Sequence, residues 1–257
     1  MSALVELQEV TVRFGDFEIL SELSTAFPER ECTCIVGKAG SGKSTLLKTA
    51  AGLVVPGRGR VLYRGRDLAR MKGAEELTFR KESAFAFQDA ALWANQTIYN
   101  NLNLPLALHE PNLAKAESDR RIVETARRCG YAEGLGFRPS DLSAGEQKLI
   151  SLARALILDP KVLFMDEPTA SLDEDAVDML IGILAELKAA GKTLIVVTHD
   201  ARLIARVADQ LCVVSTGKVS GFGPAAQVAP LVGGELYKSI RAARSADASL
   251  DGREGRA

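Results

Sequence analysis

The stretch Gly37-Lys38-Ala39-Gly40-Ser41-Gly42-Lys43-Ser44 constrains the fold of this chain most, because it fits GxxxxGK[ST] and directly follows the apolar run 32–36. An apolar run of five residues reads as a strand buried on both faces, and the residues from Lys43 onward carry helical spacing, so the unit is strand, glycine-rich loop, helix. In that context the glycines let backbone N–H groups close around phosphate, Lys43 is placed to reach its outer oxygens, and the Ser44 hydroxyl can hold a divalent cation. The helix opening at Lys43 adds the positive end of its dipole. A glycine-rich turn with an incidental lysine would satisfy the pattern alone, but not the strand before it and the helix after it.

Length and composition fit this unit. The 257 residues can bury a sizeable core, and 47% apolar with 25% charged residues is the make-up of a globular chain. No apolar run approaches the 18 or so residues of a membrane span, and the N-terminus lacks the basic and apolar regions of a signal peptide, so a cytosolic protein is expected. Cys32, Cys34, Cys129 and Cys212 are scattered and read as buried thiols rather than a metal or disulfide site. A net charge of −1 argues against nucleic acid as a partner. The run Arg58, Arg60, Arg64, Arg66, Arg70 and Lys72 is read as a solvated hairpin and turn.

Alternation at Val10, Val12 and Phe14 and within 17–27 predicts antiparallel strands joined at Gly15-Asp16. The P-loop helix is expected over 43–53, and a further strand pair over 59–63 and 83–87. Between 89 and 158, Pro105, Pro111 and Pro139 punctuate helical stretches such as 114–129 and 146–158, which predicts a helical insertion. The apolar runs 162–165 and 194–197, separated by a helical segment over 174–190, have the rhythm of parallel βαβ units. The expected fold class is α/β, with an N-terminal antiparallel β-subdomain and an inserted α-helical subdomain of about 89–158. One nucleotide-binding domain is expected over 1–244, and a disordered tail over 245–257.

The run 162–165 ends in Asp166-Glu167, two carboxylates at the C-terminal edge of a buried strand, where open α/β sheets bind ligands. Asp166 can hold Mg²⁺, and Glu167 can orient and deprotonate an attacking water. With these residues in view, the chain resembles the ATP-binding cassette (ABC) family of P-loop ATPases over about 1–240. Gly37 to Ser44 are similar to Walker A, with Thr45 next in its helix, and Gln88 in Phe87-Gln88-Asp89 to the Q-loop. Leu142-Ser143-Ala144-Gly145-Glu146 resembles the signature motif, and Asp166 and Glu167 resemble Walker B and the catalytic glutamate. Ser171-Leu172-Asp173 is similar to the D-loop, and His199 to the switch histidine. His109, between helices and beside Pro111, has no such context. Phe14 resembles the family's A-loop aromatic, which stacks on adenine, although an aromatic ending a strand is often plain core.

The resemblance implies ATP and Mg²⁺ as cofactors. Glu167, His199 and Gln88 would serve hydrolysis, Ser44, Gln88 and Asp166 the metal, and Phe14, residues 37–45, Ser143, Gly145 and Asp173 the nucleotide. The signature departs from LSGGQ at Ala144 and Glu146. Ser143-x-x-Glu146 also fits a helix capping box, which is compatible with Ser143 facing phosphate. Because the signature completes a site only in trans, the resemblance implies a head-to-tail pair, either a homodimer or a pairing with a related cassette. It further implies an integral membrane permease as partner on the cytoplasmic face, with a cluster-assembly ATPase as the alternative. The segment 87–106, with Trp93 and Thr97-Ile98-Tyr99-Asn100-Asn101-Leu102, is similar to cassettes of bacterial MCE-protein lipid transporters. That likeness implies a lipid cargo and an MCE-type partner, while cassettes for other substrates remain open.

Overall fold

The computed structural model describes residues 3–132 and 134–254, divided into two compact units, 1–71 with 184–257 and 72–183. In the first unit, β1 (Ala3–Phe14) and β2 (Phe17–Pro28) form a long antiparallel hairpin whose last pair is Phe14 with Phe17. Strand β4 (Arg58–Tyr63) pairs antiparallel with the other edge of β1, and the two-residue β5 (Arg66–Asp67) closes this four-stranded sheet. The predicted hairpin turn is present. Val5, Leu7, Val10, Val12, Leu20, Leu23 and Phe27 are buried, with register shifts along the hairpin resetting the alternation, and Leu4 beside Val5 is buried as well.

The same unit holds β3 (Cys32–Val36) between two parallel neighbours, β8 (Thr193–Val197) and β9 (Gln210–Ser215), with β10 (Lys218–Pro224) antiparallel to β9. Every residue of β3 and β8 is buried, which is why both read as largely apolar runs, with one threonine each, Thr33 and Thr193. Helix α1 (Lys43–Ala50) follows β3 through the glycine-rich loop, and α7 (Ala201–Val207) follows β8. The turn between β9 and β10 reaches both neighbours: the Gly217 amide donates to the Ser41 carbonyl at 3.1 Å, and the Ser21 amide of β2 donates to the Gly217 carbonyl at 3.1 Å. All four cysteines are free and buried, as expected.

In the second unit β6 (Ser83–Ala86) runs parallel to β7 (Val162–Asp166), with Ser83 opposite Val162 and Ala86 opposite Met165. This corrects the expected pairing of 83–87 with 59–63: β4 bonds to β1 and β5 in a separate sheet. Apolarity alone cannot tell two short strands' partners apart. Helices α2 (Ala74–Glu82), α3 (Ile98–His109), α4 (Lys115–Arg128) and α5 (Ala144–Leu156) belong to this unit. Pro105 lies inside α3 rather than ending it.

Helix α6 (Glu174–Ala189) precedes β8, α8 (Ala225–Val232) follows β10, and α9 (Gly234–Glu254) ends the described chain. A tail was expected from residue 245, whereas α9 continues to Glu254. Alanine-rich, proline-free sequence extends a helix once an earlier turn is anchored, here by buried Ile240. Residues 255–257 of the expected tail lie outside the described residues.

Candidate functional site

In the first unit the loop between β3 and α1 has the form of a phosphate cradle. Gly37, Gly40 and Gly42 all have positive φ (152°, 74° and 99°). A Cβ on Gly37 would stand 2.2 Å from the Val214 carbonyl oxygen, and one on Gly42 would stand 3.0 Å from the Ile19 carbonyl oxygen. Those two positions therefore admit no side chain without movement of β9 or β2. Lys38, Ala39 and Gly40 form the loop's exposed crest, and the Ser41 amide donates to the Lys38 carbonyl at 3.2 Å.

Lys43 is only 7% exposed, and its ammonium donates to the carbonyls of Gly37 and Lys38 at 3.0 Å each, folded over the loop. Helix α1 has no side-chain cap and no acidic residue in its first turn, so its N-terminal dipole is not offset by local carboxylates. The Ser41 hydroxyl is buried without a hydrogen-bond partner. A loop with a folded-back cation, an orphaned hydroxyl and an uncapped helix fits a bound polyphosphate. Ser44 and Thr45 stand half-buried in the first turn of α1.

Phe14 is 54% exposed at the open end of the β1–β2 hairpin, so it is not a core residue, and Phe17 opposite it is also exposed. His199 is exposed just after β8. The Asp200 carboxylate beside it accepts from the amides of Arg202 and Leu203 at 2.8 and 3.1 Å and so caps α7. Asp200 is thereby engaged with backbone.

The second unit gathers the remaining residues. Asp166 ends β7 at 2% exposure, and Glu167 follows in a left-handed conformation (φ 48°). Gln88 presents an exposed side chain beyond β6, while its backbone carbonyl accepts from Lys148. Ser143 and Glu146 form a reciprocal capping box at the start of α5: the Ser143 amide and hydroxyl donate to the Glu146 carboxylate at 2.8 and 2.7 Å, and the Glu146 amide donates back at 3.2 Å. These bonds hold the Glu146 carboxyl below its ordinary pKa, first through the Ser143 hydroxyl and then through its amide. A Cβ on Gly145 would stand 3.3 Å from the Ser171 carbonyl, so the segments 142–146 and 171–173 are close neighbours. Asp173 accepts from the Ala176 amide at 2.8 Å, at the start of α6. His109 is half-buried, and burial lowers its pKa, followed by the charge of Lys81.

Three residues in this unit were not singled out from sequence. Lys148, 8% exposed, donates to the carbonyls of Gln88 and Glu167 at 2.8 Å each. Arg154, one and a half turns further along α5, donates to the carbonyls of Ala91 and Ala90 at 2.9 and 3.2 Å. Asn101, fully buried, accepts from the Trp93 amide at 2.7 Å and donates to the carbonyls of Trp93 and Thr97 at 3.2 and 3.0 Å. It fixes a loop on which Trp93 is 53% exposed. Only the tertiary structure shows where these polar ends go.

Among the described residues no group of three or more His, Cys, Asp or Glu could form a protein metal cage. Ser44 in the first unit, and Gln88 and Asp166 in the second, each carry an oxygen donor of the hard type that Mg²⁺ takes. Among the described residues no helix is long and apolar enough to cross a membrane.

Residues 20–170 match the ABC transporter family. The nickel import ATP-binding protein NikO of Rhodobacter capsulatus is 37% identical over 236 residues, 89% of this chain and 92% of that protein. The methionine import ATP-binding protein MetN of Geobacillus kaustophilus is 32% identical over 221 residues, 84% of this chain and 64% of that longer protein. Among solved structures, the ATP-binding cassette MJ0796, as a dimer in a post-hydrolysis state bound to ADP and Pi, superposes with a TM-score of 0.80 at 28% identity, covering 86% of this chain and 98% of that one.

Proposed function

Because the chain belongs to the ABC transporter family and is an ABC ATPase, we propose that it is the ATP-hydrolysing subunit of a transporter and acts on a separate membrane permease. The observation that carries this reading is the phosphate cradle at 37–44, with Lys43 folded over it and the N-terminus of α1 uncapped. Phe14 stacks on adenine, and residues 37–45 wrap the triphosphate. Ser44, Gln88 and Asp166 would hold Mg²⁺, which would offset the charge of the phosphate oxygens. Glu167 accepts a proton from the water that attacks the γ-phosphorus. The bond to the ADP oxygen breaks, and ADP and inorganic phosphate leave. His199 donates a hydrogen bond to the γ-phosphate, and Ser143 and Gly145 contact the ATP held by a second cassette, with Asp173 beside them. The working unit is therefore a pair of cassettes, and hydrolysis releases it.

The permease reading is supported by Trp93, an exposed aromatic held on a loop that Asn101 fixes, which is the form of a docking anchor. It puts the chain at the cytoplasmic face of a membrane. The relatives' names favour import of a small solute. The lipid cargo and MCE-type partner rest on the likeness of segment 87–106 alone.

The test of the ATPase site is Glu167→Gln. ATP binding should persist while kcat falls at least about a hundredfold, since the proton acceptor is lost and the cradle is untouched. ATP-bound dimer should accumulate in light scattering, and adding Ser143→Arg should abolish it. Near-normal turnover by Glu167→Gln would overturn the role of Glu167, and an undiminished dimer with Ser143→Arg would leave Ser143 as a helix cap only. Mass spectrometry of membrane proteins that co-purify with the chain separates the partners. A permease with a solute-binding protein supports import, an MCE-type protein restores the lipid cargo, and cluster-assembly proteins alone refute transport.

A further inference from the structure

We propose that Lys148 is a positioning residue for hydrolysis: its ammonium ties the backbone of the Q-loop at Gln88 to the backbone of Glu167, so that the signature helix sets where the catalytic carboxylate stands. The inference rests on the ATPase reading above and assigns Lys148 no contact with nucleotide.

Three observations carry it. First, Lys148 is a buried cation, and two of its three N–H donors go to two carbonyls from different loops, each at 2.8 Å. Charge-assisted bonds of this length hold their acceptors firmly. Second, the acceptor at Glu167 belongs to a residue with φ 48°, a conformation that a non-glycine residue does not hold by its own preference. Its carbonyl also accepts from the Ala170 amide at 3.2 Å, so the turn and the lysine hold the same oxygen. Third, the Q-loop has the same character: Ala90 and Ala91 are left-handed (φ 62° and 49°), and Arg154 of the same helix donates to both carbonyls. One helix thus supplies the cations that hold two strained loops, and its first turn is the signature motif. Lys148 bonds to both loops.

The chemistry needs such a device. A general base is effective only when its carboxylate stands within hydrogen-bond reach of the water, and small displacements lower turnover strongly. Burial lowers the Lys148 pKa, and the carboxylates of Glu167, Asp166 and Asp89 counter that shift only in part.

The experiment compares Lys148→Met, which keeps the length of the stem and removes every donor, with wild type. The expected result is a kcat lowered about tenfold or more, with the Kd for ATP and the KM changed less than about twofold. Amide hydrogen exchange in the nucleotide-free protein should quicken in peptides covering 88–91 and 167–170, a readout independent of turnover. In a Glu167→Gln background, Lys148→Met should lower the residual rate less than about twofold, because the group it positions is already gone. Lys148→Arg should recover part of the loss. Wild-type kcat in Lys148→Met, full additivity with Glu167→Gln, or a loss confined to ATP affinity would each overturn the proposal. If a melting curve shows that Lys148→Met does not fold, Lys148→Gln takes its place, since its shorter amide reaches one carbonyl at a time. A kcat lowered severalfold at constant Kd then supports the proposal, and an unchanged kcat overturns it. A wild-type protein without ATPase activity would instead refute the reading beneath it.

Discussion

Gly37→Ala and Gly40→Ala should separate sharply although both lie in one loop. At Gly37 a Cβ would stand 2.2 Å from the Val214 carbonyl oxygen in β9. Contacts under about 3 Å are not tolerated, so the ends of β3 and β9 must part by nearly an ångström, disturbing the pairing of Val36 with Val213. The backbone at φ 152° adds strain for any L side chain. Overpacking and strain together should lower stability by roughly 3–5 kcal/mol. For a chain of this size that is a melting temperature lower by roughly 6–20 °C. At Gly40 nothing lies within 4 Å of the added carbon, and only its left-handed φ of 74° is penalised, by about 1 kcal/mol or roughly 2–4 °C. Melting curves by circular dichroism without nucleotide measure both. Gly37→Ala melting within about 3 °C of wild type, or Gly40→Ala falling as far as Gly37→Ala, would refute the argument.

Glu146→Ala removes the acceptor of two Ser143 bonds, so at neutral pH it should lower stability by about 0.5–1 kcal/mol. The folded protein holds the Glu146 pKa below its ordinary value, so this contribution is present above that ordinary value and lost as pH falls through the folded one. Melting temperatures of wild type and Glu146→Ala should therefore converge as pH falls from the ordinary glutamate range through the lowered folded value; a constant gap would exclude the carboxylate as its source. Burial pushes the thiols of Cys129 and Cys212 up to about 12, so neither should react with iodoacetamide at pH 8 until the protein is unfolded. Fast labelling of either thiol in the native protein would contradict that burial. Phe14→Ala should weaken ATP binding about threefold to tenfold and leave the affinity for inorganic triphosphate unchanged, by calorimetry; equal losses for both would show that Phe14 does not read the base. Trp93→Ala, with an unchanged melting curve, should reduce co-purification of the permease and leave ATP affinity intact; equal recovery of the permease would remove Trp93 from the interface.

Buried parallel strands and the motifs at their ends were legible because their signals are local. A run apolar but for Thr33 matched the strand 32–36 to the residue, and the glycines of the following loop announced a backbone that only glycine tolerates. Partners in space were not legible: Ser83–Ala86 could not be assigned to Val162–Asp166 from apolarity, since any buried strand offers the same face. Helix α2 escaped notice because Phe79 is its one buried residue and its apolar pattern is weak. Pro105 read as a boundary, yet the helix accommodates it. Lys148 and Arg154 read as charges on an amphipathic helix, because a sequence shows where a side chain starts and not where its charged end arrives. The Ser143–Glu146 box was visible since both partners lie within one turn.

The β9–β10 turn bears on how this chain tolerates change in length. Hairpin turns are ordinarily where a protein accepts an inserted residue most easily. Here Gly217 joins Ser41 of the glycine-rich loop to Ser21 of β2, and a Cβ on Gly217 would stand 2.4 Å from the Ile19 carbonyl. The sheet carrying Phe14 and the loop carrying Lys43 are thus spliced through a single residue of a third segment. One residue added at this turn would shift the spacing between them as surely as one added to the loop itself. This turn therefore has little freedom to drift, and libraries that permute or extend loops should leave it alone.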